Sequence, residues 1–349
     1  MHSEFTLRSG IRGTGGTSPN PPRVTIIIPT FRRPLLLREC ISSCLRQKGT
    51  DSGAYEILVV DNCPDGSASS VVAEISHSAL TPIHYIREAK PGVSAARNAG
   101  LRYARGELVA FIDDDETATE NWLAHLLATQ LRTKADVVFG PVFPMLPEAT
   151  DPIQRAFFER FLTHCTNHST GTQVKSRLLT PFWVRGPHAY PSLASGNCLI
   201  YRRSRSVEAV HFDDRLGRFG GEDALYFNQL AVNGAYFVWC AEAIAWEYIP
   251  PERLCLSYAL TRAIRGGQVV SWIPMLLSPS KPALTGLSMS IAFVQLPFFA
   301  VLAGGSAMFG ATNRYYYLAR LASAIGKLFW ASPFRGRAWP SWRRRSQAG

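Results

Sequence analysis

Acidic residues are nearly missing from the C-terminal part of this 349-residue chain: from Glu252 onward a single Glu faces 12 Lys and Arg. Before that point bases and acids balance at 25 each, so the whole formal charge of +11 belongs to the tail. A neutral body argues against a nucleic-acid binder, which would carry its basic residues and aromatics together on a folded face. Charge of either sign is missing between Pro282 and Asn313, a stretch that includes "LSMSIAFVQLPFFAVLAGG". Roughly 20 apolar residues suffice to cross a bilayer. The tyrosines and arginines of "NRYYYLAR" that follow suit a membrane interface. A buried hairpin of a soluble protein is the competing reading. The seven cysteines contain no CxxC pair. Such an odd, scattered set suits a reducing cytoplasm better than a disulfide framework or a zinc site. The first 22 residues lack an apolar core and are rich in Gly, Ser, Thr and Pro, so they read as a disordered lead-in rather than a secretory signal.

What is present begins with "RVTIIIPT", a short β-branched run that predicts a buried strand. "PLLLRECISSCLRQ" repeats its apolar residues at helical spacing, with Pro34 near the start where proline is tolerated. "YEILVVDNCPDGS" is a second buried strand breaking into a turn-rich loop. A helical stretch at Val71 to Ser76, a strand at "IHYI", a helix in "PGVSAARNAGLRYARG" and a strand at "ELVAFI" follow in turn. "ENWLAHLLATQLR" then reads as a helix and "ADVVFG" as a strand. This alternation implies parallel βαβ units, and such sheets bind ligands beyond the carboxyl ends of their strands. Three polar sites fall there: Thr30 with Phe31, Asp61 with Asn62, and Asp113 to Asp115. The middle, about Pro147 to Pro191, is expected to be less regular, a surface loop or lid in which His164, His168, His188 and Trp183 are incidental. "PSLASGNCLIYRRS" contains a further strand, and "RFGGEDALYFNQLAVNGAYFVWC" reads as two glycines, two acids, a helix and a strand.

"VAFIDDDETATENWL" poses the chemical question, because it crowds Asp113, Asp114 and Asp115, with Glu116 behind, at the end of a buried strand. Like charges repel, so a positive partner is required. Solvent-open carboxylates are hard oxygen ligands suited to Mg²⁺ or Mn²⁺ shared with a phosphate-bearing substrate. The plainer alternative is an acidic loop capping the next helix. Asp61 has two readings, an Asx-turn residue or an acceptor for a nucleobase imide. Arg97 has two as well, pairing with the aspartates or with a donor. Glu222 and Asp223 follow two glycines that allow close backbone approach to a ligand. One of them could be a general base taking a proton from an attacking hydroxyl, although carboxylates at a helix start are also favoured by the helix dipole.

Together, "VTIIIPTFRRPLLLRECISSCLRQ", "EILVVDNCPDGS", "GVSAARNAGLRYARGELVAFIDDDETATENWL" and "FGGEDALYFNQLAVNGAYFVW" resemble the family 2 glycosyltransferases. "AIAWEYIPPERLCLSYALTRAIRGG" is similar to the continuation in the branch that builds bacterial exopolysaccharide repeat units. The resemblance implies the α/β GT-A nucleotide-diphospho-sugar transferase fold, a mostly parallel Rossmann-like sheet flanked by helices, over about 23–250. A helical connector (251–281) and a membrane-associated segment with the basic tail (282–349) would follow the 1–22 lead-in and this domain. The implied roles place Thr30 and Asp61 at the nucleoside, Arg97 within the nucleotide-sugar site, and Asp113 and Asp114 at the ribose and metal shell. Asp115 would be the main ligand of Mn²⁺ or Mg²⁺, Asp223 the catalytic base, and Glu222 the residue orienting the acceptor. The implied reaction is one in-line displacement with inversion, from a nucleotide-sugar (UDP favoured) to a hydroxyl, on a lipid-linked or other saccharide acceptor.

Two departures stand out. Asn62 and Cys63 replace the Asp or Gly of many relatives, and Glu247 stands near where many carry a histidine. For Glu247, a substitute metal ligand and a structural residue both stay open. Nucleotide-sugars are made in the cytoplasm, so the domain and its Arg-rich tail are expected at the cytoplasmic face of the membrane. Residues 282–313 would then dip and return, or cross an even number of times. A non-catalytic, nucleotide-binding membrane scaffold is the alternative.

Overall fold

The computed structural model describes residues 22–175, 194–217, 220–277, 283–308 and 313–331. The lead-in, the end of the basic tail, Trp183 and His188 lie outside the described residues.

The first half alternates as the apolar runs predict: β1 (Val24–Thr30), α1 (Pro34–Leu45), β2 (Tyr55–Asp61), α2 (Ser69–Ser76), β3 (Ile83–Arg87), α3 (Val93–Tyr103) and β4 (Leu108–Ile112). Next come β5 (Glu116–Ala118), α4 (Trp122–Thr133), β6 (Val137–Phe139) and β7 (Val142–Met145). Then follow α5 (Pro152–Leu162), β8 (Asn197–Tyr201), α6 (Glu222–Val232), β9 (Phe237–Trp239) and β10 (Ala245–Tyr248). Three long helices close the described chain: α7 (Leu256–Leu277), α8 (Ala283–Met308) and α9 (Arg314–Leu328).

The seven-stranded sheet has the order β3-β2-β1-β4-β8-β6-β9. Every neighbouring pair is parallel except those of β8, which runs antiparallel to both β4 and β6. Strand β1 is buried along its whole length, as a central parallel strand covered on both faces must be. Its side chains alternate between two cores: Ile26 and Ile28 pack with Leu37, Ile41 and Leu126, whereas Ile27 packs with Ala96, Ala99 and Phe227.

The antiparallel setting of β8 matters for the site. It puts the start of β8 opposite the end of β4, with Asn197 in register with Ile112. A second, three-stranded sheet, β5-β10-β7, continues from the acidic turn after β4. Its strands are three or four residues long, too short for a period to be read in sequence.

One expectation is corrected. The stretch expected to be irregular after Pro147 holds helix α5, whose N-cap Asp151 accepts from the Ile153 and Gln154 amides. Within the uncharged segment, Ala283–Met308 form one continuous helix, α8. Among the described residues α8 alone is long and apolar enough to cross a membrane, with a mean hydropathy of 1.8 over Ala283–Ala307.

Helix α3 lies close on β1 because Gly100 has no side chain. A Cβ there would stand 2.5 Å from Ile27 Cγ2. Gly100→Ala is therefore expected to lower unfolding stability by about 1–3 kcal/mol, the usual range for overpacking a filled core. Chemical denaturation followed by circular dichroism measures it.

Candidate active site at the strand rim

Strand β4 delivers Asp113, Asp114 and Asp115 to the rim, where the first meets Arg97 and the other two share Arg33. Asp114 is held at both oxygens: Thr30 Oγ1 donates to Oδ2 at 2.8 Å, and Arg33 Nη1 to Oδ1 at 2.9 Å. Burial pushes the Asp114 carboxyl up to about 6, aided by Asp115, against the opposing pull of Arg33 and Thr30. Arg33 Nη1 also donates to Asp115 Oδ2 at 2.8 Å. Asp113 Oδ1 accepts from Arg97 Nη2 at 3.2 Å.

Arg97 is the hub. It projects from α3 and is 3% exposed. Its Nη1 donates to Glu222 Oε1 at 2.9 Å and to Asp223 Oδ1 at 2.8 Å. Burial works against its charge, but Asp223, Asp113 and Glu222 outweigh that and raise its pKa. Pairing with the acids, one of the readings open in the sequence, is observed. Residues more than a hundred positions apart are thereby joined, the strand-end acids to the helix-start pair.

Gly220 and Gly221 precede α6 with φ of 83° and 90°, a left-handed turn that a side chain would strain. They deliver Glu222 and Asp223 to the first turn of α6. Ser195, just before β8, donates from Oγ to Asp223 Oδ1 at 2.9 Å. Glu222 is buried, and burial followed by the adjacent Asp223 pushes its carboxyl up to about 7, against Arg97.

A fourth acid beyond the triplet takes part. Glu116 is buried, and its Oε2 accepts from the Asp113 amide at 3.1 Å. A Cβ on Gly196 would stand 2.5 Å from Glu116 Oε1, so the glycine makes room for it. Burial, then Asp113 and Glu247, push the Glu116 carboxyl well up. Glu247 lies across from Glu116 in the β5–β10 pair. Its carboxyl is pushed up to about 7 by burial and Asp115, against Arg262 and Arg253. Arg253 Nη1 lies 3.3 Å from Glu247 Oε1 and 3.7 Å from Asp115 Oδ2.

Asp61 has taken its local role. Its carboxylate is fully buried: Oδ1 accepts from the Cys63 amide at 2.9 Å, and Oδ2 from the Ala68 amide at 2.8 Å and Tyr85 Oη at 3.1 Å. This is the Asx-turn arrangement, with the carboxylate turned into its own loop. Neighbouring Asn62 donates to the Glu88 and Lys90 carbonyls and accepts from the Gly92 amide, pinning the approach to α3. Thr30 likewise braces Asp114. Both residues nevertheless stand side by side at the rim, since Thr30 and Asp61 are in register. His164 contacts Arg262, with Arg262 Nη2 3.2 Å from its Nε2. Burial and that arginine lower its pKa to about 4.

Arg33 and Ser195 were not singled out in the sequence. Arg33 carried a signal, standing three residues beyond Thr30 at the same strand end. Ser195 carried none, because its place depends on the antiparallel entry of β8.

Seven carboxyls (Asp113, Asp114, Asp115, Glu116, Glu222, Asp223 and Glu247) thus share one rim with the paired arginines 33, 97 and 253. This excess of carboxyls over arginines fits a divalent cation. Among the described residues, Asp113 Oδ2 and Asp115 Oδ1 accept no hydrogen bond, which leaves hard oxygen donors for it. Also among the described residues, no three Asp, Glu, His or Cys side chains form a complete protein cage for a metal. A small hard cation needs no such cage, since Mg²⁺-type sites commonly use one or two carboxylates and are completed by substrate phosphates.

A mostly parallel sheet with its polar groups gathered beyond the strand ends, and an acidic turn after the fourth strand, defines a GT-A glycosyltransferase fold. In agreement, the mannosyltransferase PcManGT from Pyrobaculum calidifontis, solved in complex with GDP-Man and Mn²⁺, matches with a TM-score of 0.52 at 20% identity, over 89% of this chain and 88% of that one. Residues 25–175 match the model described as glycosyl transferase family 2. The chain is 29% identical over 252 residues to the succinoglycan biosynthesis protein ExoM of Rhizobium meliloti (strain 1021), covering 70% of this chain and 73% of that protein. It is 35% identical over 117 residues to the uncharacterized glycosyltransferase EpsJ of Bacillus subtilis (strain 168), covering 34% and 33%. The match to the family 2 model spans residues 25–175, less than half of the chain. Glu222, Asp223 and Glu247 lie beyond that matched segment.

The raised Glu222 pKa fixes a pH dependence. The folded state holds this proton more tightly than the unfolded chain, so the stability it contributes is complete below the ordinary value of 4.5 and is lost as pH rises through about 7. Glu222→Gln cannot ionise. Relative to wild type its melting temperature is expected to rise between pH 4.5 and 7.5, as read by differential scanning calorimetry without metal. A pH-independent difference would contradict this.

Proposed function

We propose that the chain transfers a sugar from a nucleotide-diphosphate donor, a UDP-sugar by preference, to a saccharide hydroxyl with inversion, in exopolysaccharide synthesis. The carrying observation is the Arg97 bridge, which sets Asp113 of the donor side and Asp223 of the acceptor side on one guanidinium. The glycosyltransferases among the relatives support the reaction class.

In this reading Asp223 is the general base. It lies at the start of α6, partly exposed, with Ser195 and Arg97 fixing one oxygen. It takes the proton as the acceptor oxygen bonds to the anomeric carbon, while the bond from that carbon to the diphosphate oxygen breaks. Glu222, buried beside it, orients the acceptor through Arg97 and the helix start. Asp114, braced by Thr30 and Arg33, supports the ribose side. Asp115 and Asp113 would hold Mn²⁺ or Mg²⁺, which when bound neutralises charge on the departing diphosphate. With Asp61 turned into its loop, the rim around Thr30, Phe31 and Asn62 is left to meet the nucleoside. The acceptor is a lipid-linked saccharide, met at the cytoplasmic face of the membrane. A scaffold without catalysis has no need of Asp223 and Asp113 held in one ion network.

Three outcomes are expected with UDP-sugars and Mn²⁺. Asp223→Asn lowers the turnover number by roughly 10²–10⁴ with little change in donor affinity, the usual worth of a positioned base. Asp115→Ala abolishes metal-dependent donor binding in calorimetric titration. A wild-type chain that binds no nucleotide-sugar would sink the reading. Ser195→Ala removes one hydrogen bond to the base, worth about 1 kcal/mol, and is expected to slow turnover by about fivefold.

A further inference from the structure

Helix α8 is built inside out. The side facing α7 and α9 carries Thr285, Ser288, Ala292, Phe299, Ala303 and Ser306, all buried and mostly small or hydroxylic. The opposite side carries Leu284, Leu287, Phe293, Val294, Phe298 and Val301, all exposed. A helix on a water-soluble protein does the reverse. Small and hydroxyl residues between helices, with large apolar ones outside, are the arrangement of helices solvated by lipid. The inner hydroxyls are satisfied locally, Thr285 Oγ1 donating to the Ser271 carbonyl at 2.7 Å and Ser271 Oγ lying 2.9 Å from Ser288 Oγ.

The surroundings of α8 decide how it meets that lipid. Helix α9 runs back along it, placing Lys327 near Gln295 and Arg320 over the Phe299 ring. Lys327 Nζ donates to Gln295 Oε1 at 2.7 Å, about halfway along α8. If α8 crossed the bilayer, this ammonium would sit near its centre, where charged side chains are costly. If α8 lies along the interface, Lys327 and Arg320 stay on the protein side at headgroup level. Helix α7, which also carries Arg262 and Arg265, is joined to α9 at two close crossings: a Cβ on Gly267 would strike the Ser323 carbonyl, and one on Gly326 the Ile264 carbonyl.

We infer that α8 lies flat in the surface of an anionic membrane, its Leu284-to-Val301 face in the acyl boundary, and does not span. This rests on the membrane-surface part of the proposed function and not on the transfer chemistry. The single acid among 13 charged residues from Glu252 onward favours anionic lipid over a second copy of the chain, whose like charge would repel. The placement has a catalytic consequence. Helix α7 packs on α6 through Trp272 and Ile273 against Leu225, and a Cβ on Gly221 would stand 3.0 Å from Val269. The helix that bears Glu222 and Asp223 is thereby held at a set height above the lipid surface, where the hydroxyl of a lipid-linked acceptor is presented.

The test uses the full chain and vesicles of phosphatidylcholine, with or without phosphatidylglycerol. Binding at least tenfold tighter to the anionic vesicles is expected, and at least tenfold weaker after the double change Phe298→Glu with Val301→Glu. Nitroxide labels at Leu287→Cys, Val294→Cys and Val301→Cys, in a Cys255→Ser background, are expected at one common shallow depth. Depth rising to a maximum at Val294 would mean a span and overturn the inference. So would equal binding to neutral vesicles, or failure to bind vesicles together with concentration-dependent dimers that the double change abolishes. Donor hydrolysis in vesicle-free solution reports separately on the transfer reading, and it is expected to survive the double change.

Discussion

The buried guanidinium of Arg97 shares its protons among Asp113, Glu222 and Asp223, and the architecture of the rim depends on that sharing. A buried ion pair gains little over an apolar substitute, yet removing one member leaves an uncompensated charge costing about 3–5 kcal/mol. Three carboxylates from two distant elements are therefore committed to one position. Arg33 does the same on the other flank, bridging Asp114 and Asp115 from the start of α1. The acids remain in excess even so. Burial leaves several of them with raised pKa values, and a divalent cation with bound phosphates is the natural complement to such a rim.

The sheet makes this convergence possible. Parallel β1, β2 and β4 bring their carboxyl ends to one side. The antiparallel β8 then contributes the opposite end of a strand to the same rim, which supplies Ser195 for Asp223 and the bare Gly196 beside Glu116. The small second sheet adds Glu247 across from Glu116, and the turn after it adds Arg253. Beyond the rim, α6 is fastened to α7, and α7 to the helical hairpin with its outward apolar face. The helix that carries Glu222 and Asp223 and the helix with the outward apolar face are thus parts of one packed unit.

Much of the fold was legible because its signals are local. "VTIIIPT" and "EILVVD" could only be buried strands, and the spacing in "PLLLRECISSCL" could only be a helix with one apolar face. The second sheet was not legible, since three- or four-residue strands carry no period. Helix α5 was missed because Phe157, Phe158 and Leu162 are its few buried positions, and they look scattered among polar neighbours. Asp61 shows a different limit. The sequence offered two partners for its carboxylate, and the loop amides of Cys63 and Ala68 took it.

The sequence by itself determined the alternating α/β core, the acid triplet at a strand end, the acid pair after two glycines, and a basic tail beside an uncharged helix. Each of these is a property of neighbours along the chain. The tertiary structure alone decided which charges meet: Arg97 with Glu222 and Asp223, Arg33 with Asp114 and Asp115, Ser195 with Asp223, Glu116 opposite Glu247. It also decided which face of α8 turns outward. The physical reason is range. Hydrophobic periodicity is written within a few residues, whereas ion pairs between distant segments are set by strand order and strand direction, and these emerge only when the sheet is assembled.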